Sequence, residues 1–280
     1  MTTVAYITTC KGRLSHLQQT LPLVVAQAPD EVIVVDYACP EGAGQWVRAH
    51  YPMVKLVAVD DAPGFNLPRA RNLGAAAASA ETLCFFDADI LIGEGFIGWV
   101  RGNAQPESFY RASLVDGVRL KQTWGSTVCS RAAFKTVAGY DQSFRGWGGE
   151  DTDFYQRLRL VGYFQASYPA SFVGTIDHGD ELRLSFYDFQ SKRDYLRINR
   201  LYRQAKGQLM ALQGFNPVVA VDDCLALRRQ IEQRYTKWSS NGRQGPLEIA
   251  ITLTANVGLN RSERLQQSVV IQLQLHAESA

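Results

Sequence analysis

Residues Thr82–Leu91 read TLCFFDADIL, an apolar run interrupted by two aspartates, Asp87 and Asp89. A short apolar run of this kind reads as a buried strand. Residues two apart on a strand face the same way. A strand over Thr82–Asp89 therefore carries both carboxylates to one side of its end. Three earlier runs have the same form: Val4–Cys10, Val32–Tyr37 with Asp36 near its end, and Val54–Asp60. Between them lie two helical patterns. Leu14–Ala28 has apolar residues at helical spacing and an internal Pro22 that kinks or shortens it. Pro68–Ser79 has its proline in the first turn. Strand alternating with helix implies an α/β fold with a parallel sheet and helices on its faces. Ligands of such sheets bind outside the carboxyl ends of the strands, where Asp36, Asp87 and Asp89 fall.

The pattern changes after residue 108. Phe109–Arg131 is β-rich and less regular. Asp151–Val161 reads as a helix with Phe154, Leu158 and Val161 on one face. Phe164–Ile176 is mostly extended, and Phe186–Leu212 is a long amphipathic helical region. Asp222–Trp238 reads as a further helix and Ser239–Pro246 as a polar linker. Leu247–Leu253 and Val269–Leu275 alternate like strands. This divides the chain into a main domain, 1–214, and a small C-terminal α/β extension, 215–280.

Composition excludes some functions. The 280 residues are 46% hydrophobic and 20% charged, with a formal net charge of +2. A nucleic-acid partner is not expected, because phosphate-driven affinity needs a clustered basic face. The five cysteines (Cys10, Cys39, Cys84, Cys129, Cys224) form no C-x-x-C pair. They read as reduced, largely buried thiols of a cytoplasmic protein. No signal peptide and no membrane-spanning run is evident. Gly42-Ala43-Gly44 begins a dinucleotide fingerprint, but Val47 stands where its last glycine belongs. There is no phosphate-binding P-loop, no H-E-x-x-H and no G-x-S-x-G.

Two motifs carry chemistry. Asp87 and Asp89 can share a divalent cation and a ribose, with a diphosphate supplying further oxygens; the plainer reading is that they end a strand. The second motif is FRGWGGEDTDF, Phe144–Phe154. As geometry it is a helix start, with Asp151 as cap and Asp153 favouring the dipole. That geometry also suits a general base, since a carboxylate at a helix N-terminus stays ionised. The glycines allow close approach, and Trp147 offers a face for a sugar ring. His178, in TIDHGDE, is a weaker candidate for a metal ligand.

In this order, an acid ending the second strand, ARNLGAA (Ala70–Ala76), FFDADI, GWGGEDTDF and a later histidine resemble the inverting, family-2-like glycosyltransferases of GT-A fold. The GWGGED stretch looks like the C-terminal signature shared by galactosyltransferases and N-acetylgalactosaminyltransferases. The resemblance covers roughly residues 3–205. It implies a nucleotide-binding part, 1–108, and an acceptor-binding part, 109–214. It implies that Asp36 and Arg13 line a nucleobase pocket, that Arg71 faces the donor phosphates or sugar, and that Asp87 contacts ribose or metal. Asp89 and His178 would bind Mn2+ or Mg2+, Trp147 and Glu150 would bind sugars, and Asp151 would be the catalytic base. The implied donor is a nucleotide-sugar, a UDP-hexose or UDP-N-acetylhexosamine, and the acceptor a glycan or lipid-linked hydroxyl in polysaccharide biosynthesis at the inner face of the membrane. One departure is that Asp36 is followed by Tyr37-Ala38-Cys39-Pro40 where the family has small polar residues. A sugar nucleotidyltransferase and a non-catalytic glycan-binding or scaffolding protein on the same fold are the alternatives. The first needs a Gly-rich basic loop after strand one, and the others need neither base nor metal. Residues 215–280 leave open an oligomer interface or a contact with a membrane-bound acceptor.

Overall fold

The computed structural model describes all residues except 1, 61, 63, 120–122, 178–184, 187–190, 244–246, 259–263 and 276–280. Its contacts divide it into two compact units. The first comprises 1–142 and 150–190, the second 143–149 and 191–280.

The first unit is built on a seven-stranded sheet in the order β3-β2-β1-β4-β7-β6-β8. The strands are β1 (Val4–Cys10), β2 (Glu31–Tyr37), β3 (Lys55–Val59), β4 (Thr82–Asp87), β6 (Ser108–Ala112), β7 (Thr127–Ser130) and β8 (Phe164–Tyr168). β3, β2, β1 and β4 run parallel, and β7 is antiparallel to both its neighbours. The order reverses at β1, which lies between β2 and β4. That makes the carboxyl edge of β1 and β4 the switch point where such sheets open a crevice.

Alternation along the strands fills two cores. Ala5, Ile7, Leu83, Phe85, Phe109 and Cys129 face one way. They meet α3 (Leu67–Ala77), α5 (Arg131–Thr136) and α6 (Glu150–Leu160) through Ala75, Phe134, Phe154 and Leu158. Val4, Tyr6, Cys84, Phe86 and Val128 face the other way, toward Phe96, Ile97 and Val100 of α4 (Phe96–Asn103). A third cluster joins Leu17 and Leu21 of α1 (Leu14–Val25) to Val34 and to Val47 of α2 (Ala43–His50). α3 lies close to the sheet because residue 74 is glycine: a Cβ there would stand 2.4 Å from Ile7 Cγ2.

The Asp-x-Asp stretch departs from expectation. β4 ends at Asp87, residues 88–89 turn, and β5 (Ile90–Ile92) pairs with β9 (Val173–Thr175) in a separate two-stranded sheet. Asp87 and Asp89 are thus not on one face of one strand.

In the second unit, α7 (Lys192–Leu212) and α8 (Val221–Ser240) form a hairpin. Tyr235 Oη donates to Asp194 and Arg228 Nη1 to Asn199, which fixes the helices antiparallel. β10 (Leu247–Gly258) and β11 (Arg264–Leu275) make a ribbon whose register pairs Leu247 with Leu275 and Ile251 with Ile271. α7 groups with this unit, so the compact division falls at 190/191 rather than at the 214 read from sequence, and 143–149 joins it.

Candidate active site

Arg71 organises the carboxyl edge. It lies in α3, whose start is set by Asn66: the Asn66 side chain accepts the Arg69 N–H at 2.8 Å, and Pro68 occupies the first turn. Its guanidinium is 2% exposed and would be costly to bury alone. Nη2 donates to Asp87 Oδ1 at 2.9 Å and Nη1 to Asp151 Oδ1 at 2.6 Å, with Glu150 Oε1 at 3.8 Å. The Tyr140 ring lies under it at 5.0 Å. Burial alone would lower the Arg71 pKa, but Asp151, Asp87 and their neighbours raise it well above the ordinary value. One cation thus ties the end of β4 to the start of α6.

α6 begins at Glu150, so Asp151 is a first-turn residue and not the cap. Glu150, Asp151 and Asp153 complement the positive end of the helix dipole, and Arg157 and Arg159 the negative end. The three acids have different surroundings. Asp153 is buried and accepts from Arg157 Nε at 2.7 Å. Glu150 is buried beside Asp151; burial first and that neighbouring charge second push its pKa up to about 8. Asp151 retains 16% exposure. Its Oδ2 approaches Gly125 so closely that a Cβ there would lie 3.1 Å from it and 2.5 Å from Arg71 Nη2.

Gly125 follows Trp124, an indole that sequence reasoning passes over. Trp124 is 50% exposed, with the Arg111 guanidinium 5.3 Å from its ring. Its carbonyl accepts from Tyr155 Oη of α6 at 2.8 Å. Nothing in TWGS signals this arrangement; only the fold brings the adjoining Gly125 against Asp151.

The remaining expected residues fall as follows. Arg13 caps α1 just past β1. Asp36 is the penultimate residue of β2, and its two oxygens accept the N–H groups of Cys39 and Gly44, each at 2.9 Å. Asp89 lies in the turn after β4, and its carbonyl accepts the Ile176 N–H at 2.9 Å. His178 lies outside the described residues. Among the described residues no three His, Cys, Asp or Glu side chains converge as a ready-made metal site. Trp147 belongs to the second unit, where the Lys192 ammonium stands 4.2 Å from its ring. Lys11 is not available to a phosphate: its Nζ donates to the carbonyls of Tyr37, Ala38 and Ala62.

Residues 6–107 match the model of glycosyl transferase family 2, and residues 120–178 match that of the N-terminal domain of galactosyltransferase. Both matched stretches are similar to family-2-like GT-A glycosyltransferases. A third of this chain (33%) is 31% identical to human chondroitin sulfate N-acetylgalactosaminyltransferase 2, and the match spans 23% of that protein's length. The fold is similar to that of a Pyrobaculum calidifontis mannosyltransferase solved with GDP-Man and Mn2+, at 16% identity and TM-score 0.54, over 87% of this chain and 76% of the other. It is also similar to GalNAc-T7 solved with UDP, GalNAc and Mn2+, at 14% identity and TM-score 0.53, over 89% of this chain and 59% of the other. No helix among the described residues is long and apolar enough to cross a membrane.

Proposed function

We propose that this glycosyltransferase moves a hexose or N-acetylhexosamine from a UDP-sugar to a hydroxyl of a glycan or lipid-linked acceptor, with inversion at the anomeric carbon. The observation that carries this reading is the Arg71 bridge between Asp87 at the carboxyl edge and Asp151 at the head of α6. In this reading Asp151 is the general base. It takes the proton of the acceptor hydroxyl, and the oxygen attacks the anomeric carbon opposite the diphosphate. Glu150 is unsuited to that task, because a carboxyl pushed up to about 8 keeps its proton at neutral pH. Its OH serves as a donor to a sugar oxygen. Arg71 fixes the base, and the half-exposed Trp124 offers a face to a sugar ring.

A divalent cation, Mn2+ or Mg2+, fits Asp89, whose carboxylate offers hard oxygen donors at the strand-end turn. Asp89 and His178 would hold it together with donor phosphate oxygens. When bound, it offsets the charge that grows on the leaving diphosphate. Support comes from Mn2+ in the two similar structures, UDP in one of them, and the N-acetylgalactosaminyltransferase relative.

The test is a donor screen. UDP-, GDP- and dTDP-sugars are titrated with and without Mn2+, and nucleotide release is followed on adding saccharide acceptors. Metal-dependent UDP-sugar binding with acceptor-stimulated UDP release is expected. Binding without release would leave a glycan- or nucleotide-binding protein in its place.

A further inference from the structure

The end of β1 and the loop after β2 hold a pair of thiols that the transfer reaction does not use. Cys10, the last residue of β1, is fully buried, and Cys39 is partly exposed in the loop after β2. Cys10 Sγ donates to Cys39 Sγ across 3.9 Å. The β1–β2 register sets Cys10 against Asp36, and the Cys39 N–H donates to the Asp36 carboxylate at 2.9 Å, which fixes the loop's path. The Gly12 N–H donates to Cys39 Sγ at 3.2 Å. The N–H groups of Glu41 and Ala43, just before and at the start of α2, also point at this sulfur.

We propose that Cys10 and Cys39 are a site of reversible oxidation by peroxides, with Cys39 the attacking sulfur and Cys10 the resolving one. The surroundings favour this division. The hydrogen bond from Cys10, helped by the backbone N–H groups and opposed by burial, brings the Cys39 thiol down to about 5. The same bond, with burial, pushes Cys10 well above the ordinary value. The other first-unit thiols are fully enclosed, and burial pushes Cys129 up to about 12 and Cys84 further. Thiolate character with partial exposure is what selects a cysteine for oxidation.

The chemistry balances with the peroxide as the oxidant. The Cys39 thiolate attacks one peroxide oxygen, the O–O bond breaks, and the departing alkoxide or hydroxide takes up a proton. This leaves a Cys39 sulfenic acid and an alcohol or water. The Cys10 sulfur then attacks the Cys39 sulfur, the S–O bond breaks, and hydroxide leaves with the Cys10 proton as water. Two thiols and one peroxide thus give a disulfide, an alcohol or water, and a further water. The proposal stands independently of which sugar is transferred.

The experiment uses the full chain with equimolar hydrogen peroxide, followed by alkylation in denaturant and peptide mass spectrometry. A Cys10–Cys39 linked peptide that dithiothreitol reverses is expected. In Cys10→Ser the Cys39 sulfenic acid should be trapped by dimedone, and in Cys39→Ser neither product should form. Without peroxide, native Cys39 should react with iodoacetamide roughly 10-fold or more faster than Cys84 or Cys129. Absence of the linked peptide from the wild type, or oxidation of Cys10 that persists in Cys39→Ser, would overturn the proposal.

Discussion

Asp151 and Asp153 share the first turn of α6 and differ in everything else. Asp151 faces Arg71 and Gly125 and is partly exposed; Asp153 is enclosed with Arg157, whose Nη1 also donates to the Val137 carbonyl. Asp151→Asn preserves shape and can still accept from Arg71. It should leave the melting temperature and UDP affinity near wild type and reduce transfer roughly 10²-fold or more, since an amide takes no proton. Wild-type single-turnover rates in this variant would remove Asp151 from the mechanism. Asp153→Asn leaves the buried Arg157 without its counter-charge, a loss on the order of 3–5 kcal/mol that a urea titration would read. Glu150 supplies a pH test. Its pKa is raised from 4.5 to about 8 in the folded chain, so between those values the folded state holds a proton that the unfolded state has lost. Wild-type stability should therefore fall, relative to Glu150→Gln, as pH rises from about 4.5 to about 8, and run parallel outside that window. A constant difference across pH would mean that Glu150 is ionised in the fold. Asp87, Arg71, Glu150 and Asp151 stand out in the sequence but their meeting does not, because a guanidinium shared by residues so distant in the chain leaves no local pattern.

Elements are legible where their ends carry side-chain signals. α3, with Asn66 and Pro68, reads nearly to its observed bounds, and so do β1 and α6. α2 and α4 escape notice for a physical reason: each starts at a left-handed glycine, Gly42 or Gly95, with no capping side chain to announce it. The glycines of the Trp147 loop read as a turn, but the pattern does not show what they turn against. Gly146, Gly148 and Gly149 all have positive φ, and the Asn199 side chain of α7 donates to the carbonyls of Arg145, Trp147 and Gly148. At Gly146 a Cβ would lie 2.0 Å from the Tyr195 ring. Gly146→Ala should therefore destabilise the protein by about 2–4 kcal/mol, combining left-handed strain with overpacking. Gly207, inside α7, is the counterpart: a methyl added there would meet nothing within 4 Å. At that position the same substitution should stabilise by roughly 0.5–1 kcal/mol. Chemical denaturation of both variants checks the sign as well as the size; equal effects would mean that the loop does not rest on Tyr195.

At the scale of the whole chain, the boundary expected at 214 follows the end of the family resemblance, near 205, and an amphipathic pattern cannot tell which partner a helix will choose. α7 chooses α8: its Asp194 and Asn199 are bonded to Tyr235 and Arg228. The first unit, by contrast, holds the entire seven-stranded sheet, the core clusters on its faces and the whole Arg71 constellation. A fragment ending at Gln190 should accordingly keep a cooperative thermal transition and bind UDP with an affinity close to that of the full chain. Its Ser143–Gly149 segment would lack Tyr195, Asn199 and Tyr202, the residues it packs against in the second unit. Gly149 leads directly into Glu150 and Asp151, so glycosyl transfer by the fragment should fall by roughly 10²-fold or more, on the rule that a misplacement of about 1 Å in a catalytic group costs that much. Calorimetry with UDP and Mn2+, beside a transfer assay on the same preparation, separates the two effects. Full transfer by the fragment would show that the segment needs no support from α7, and loss of the cooperative transition would show that the sheet does not stand without the second unit.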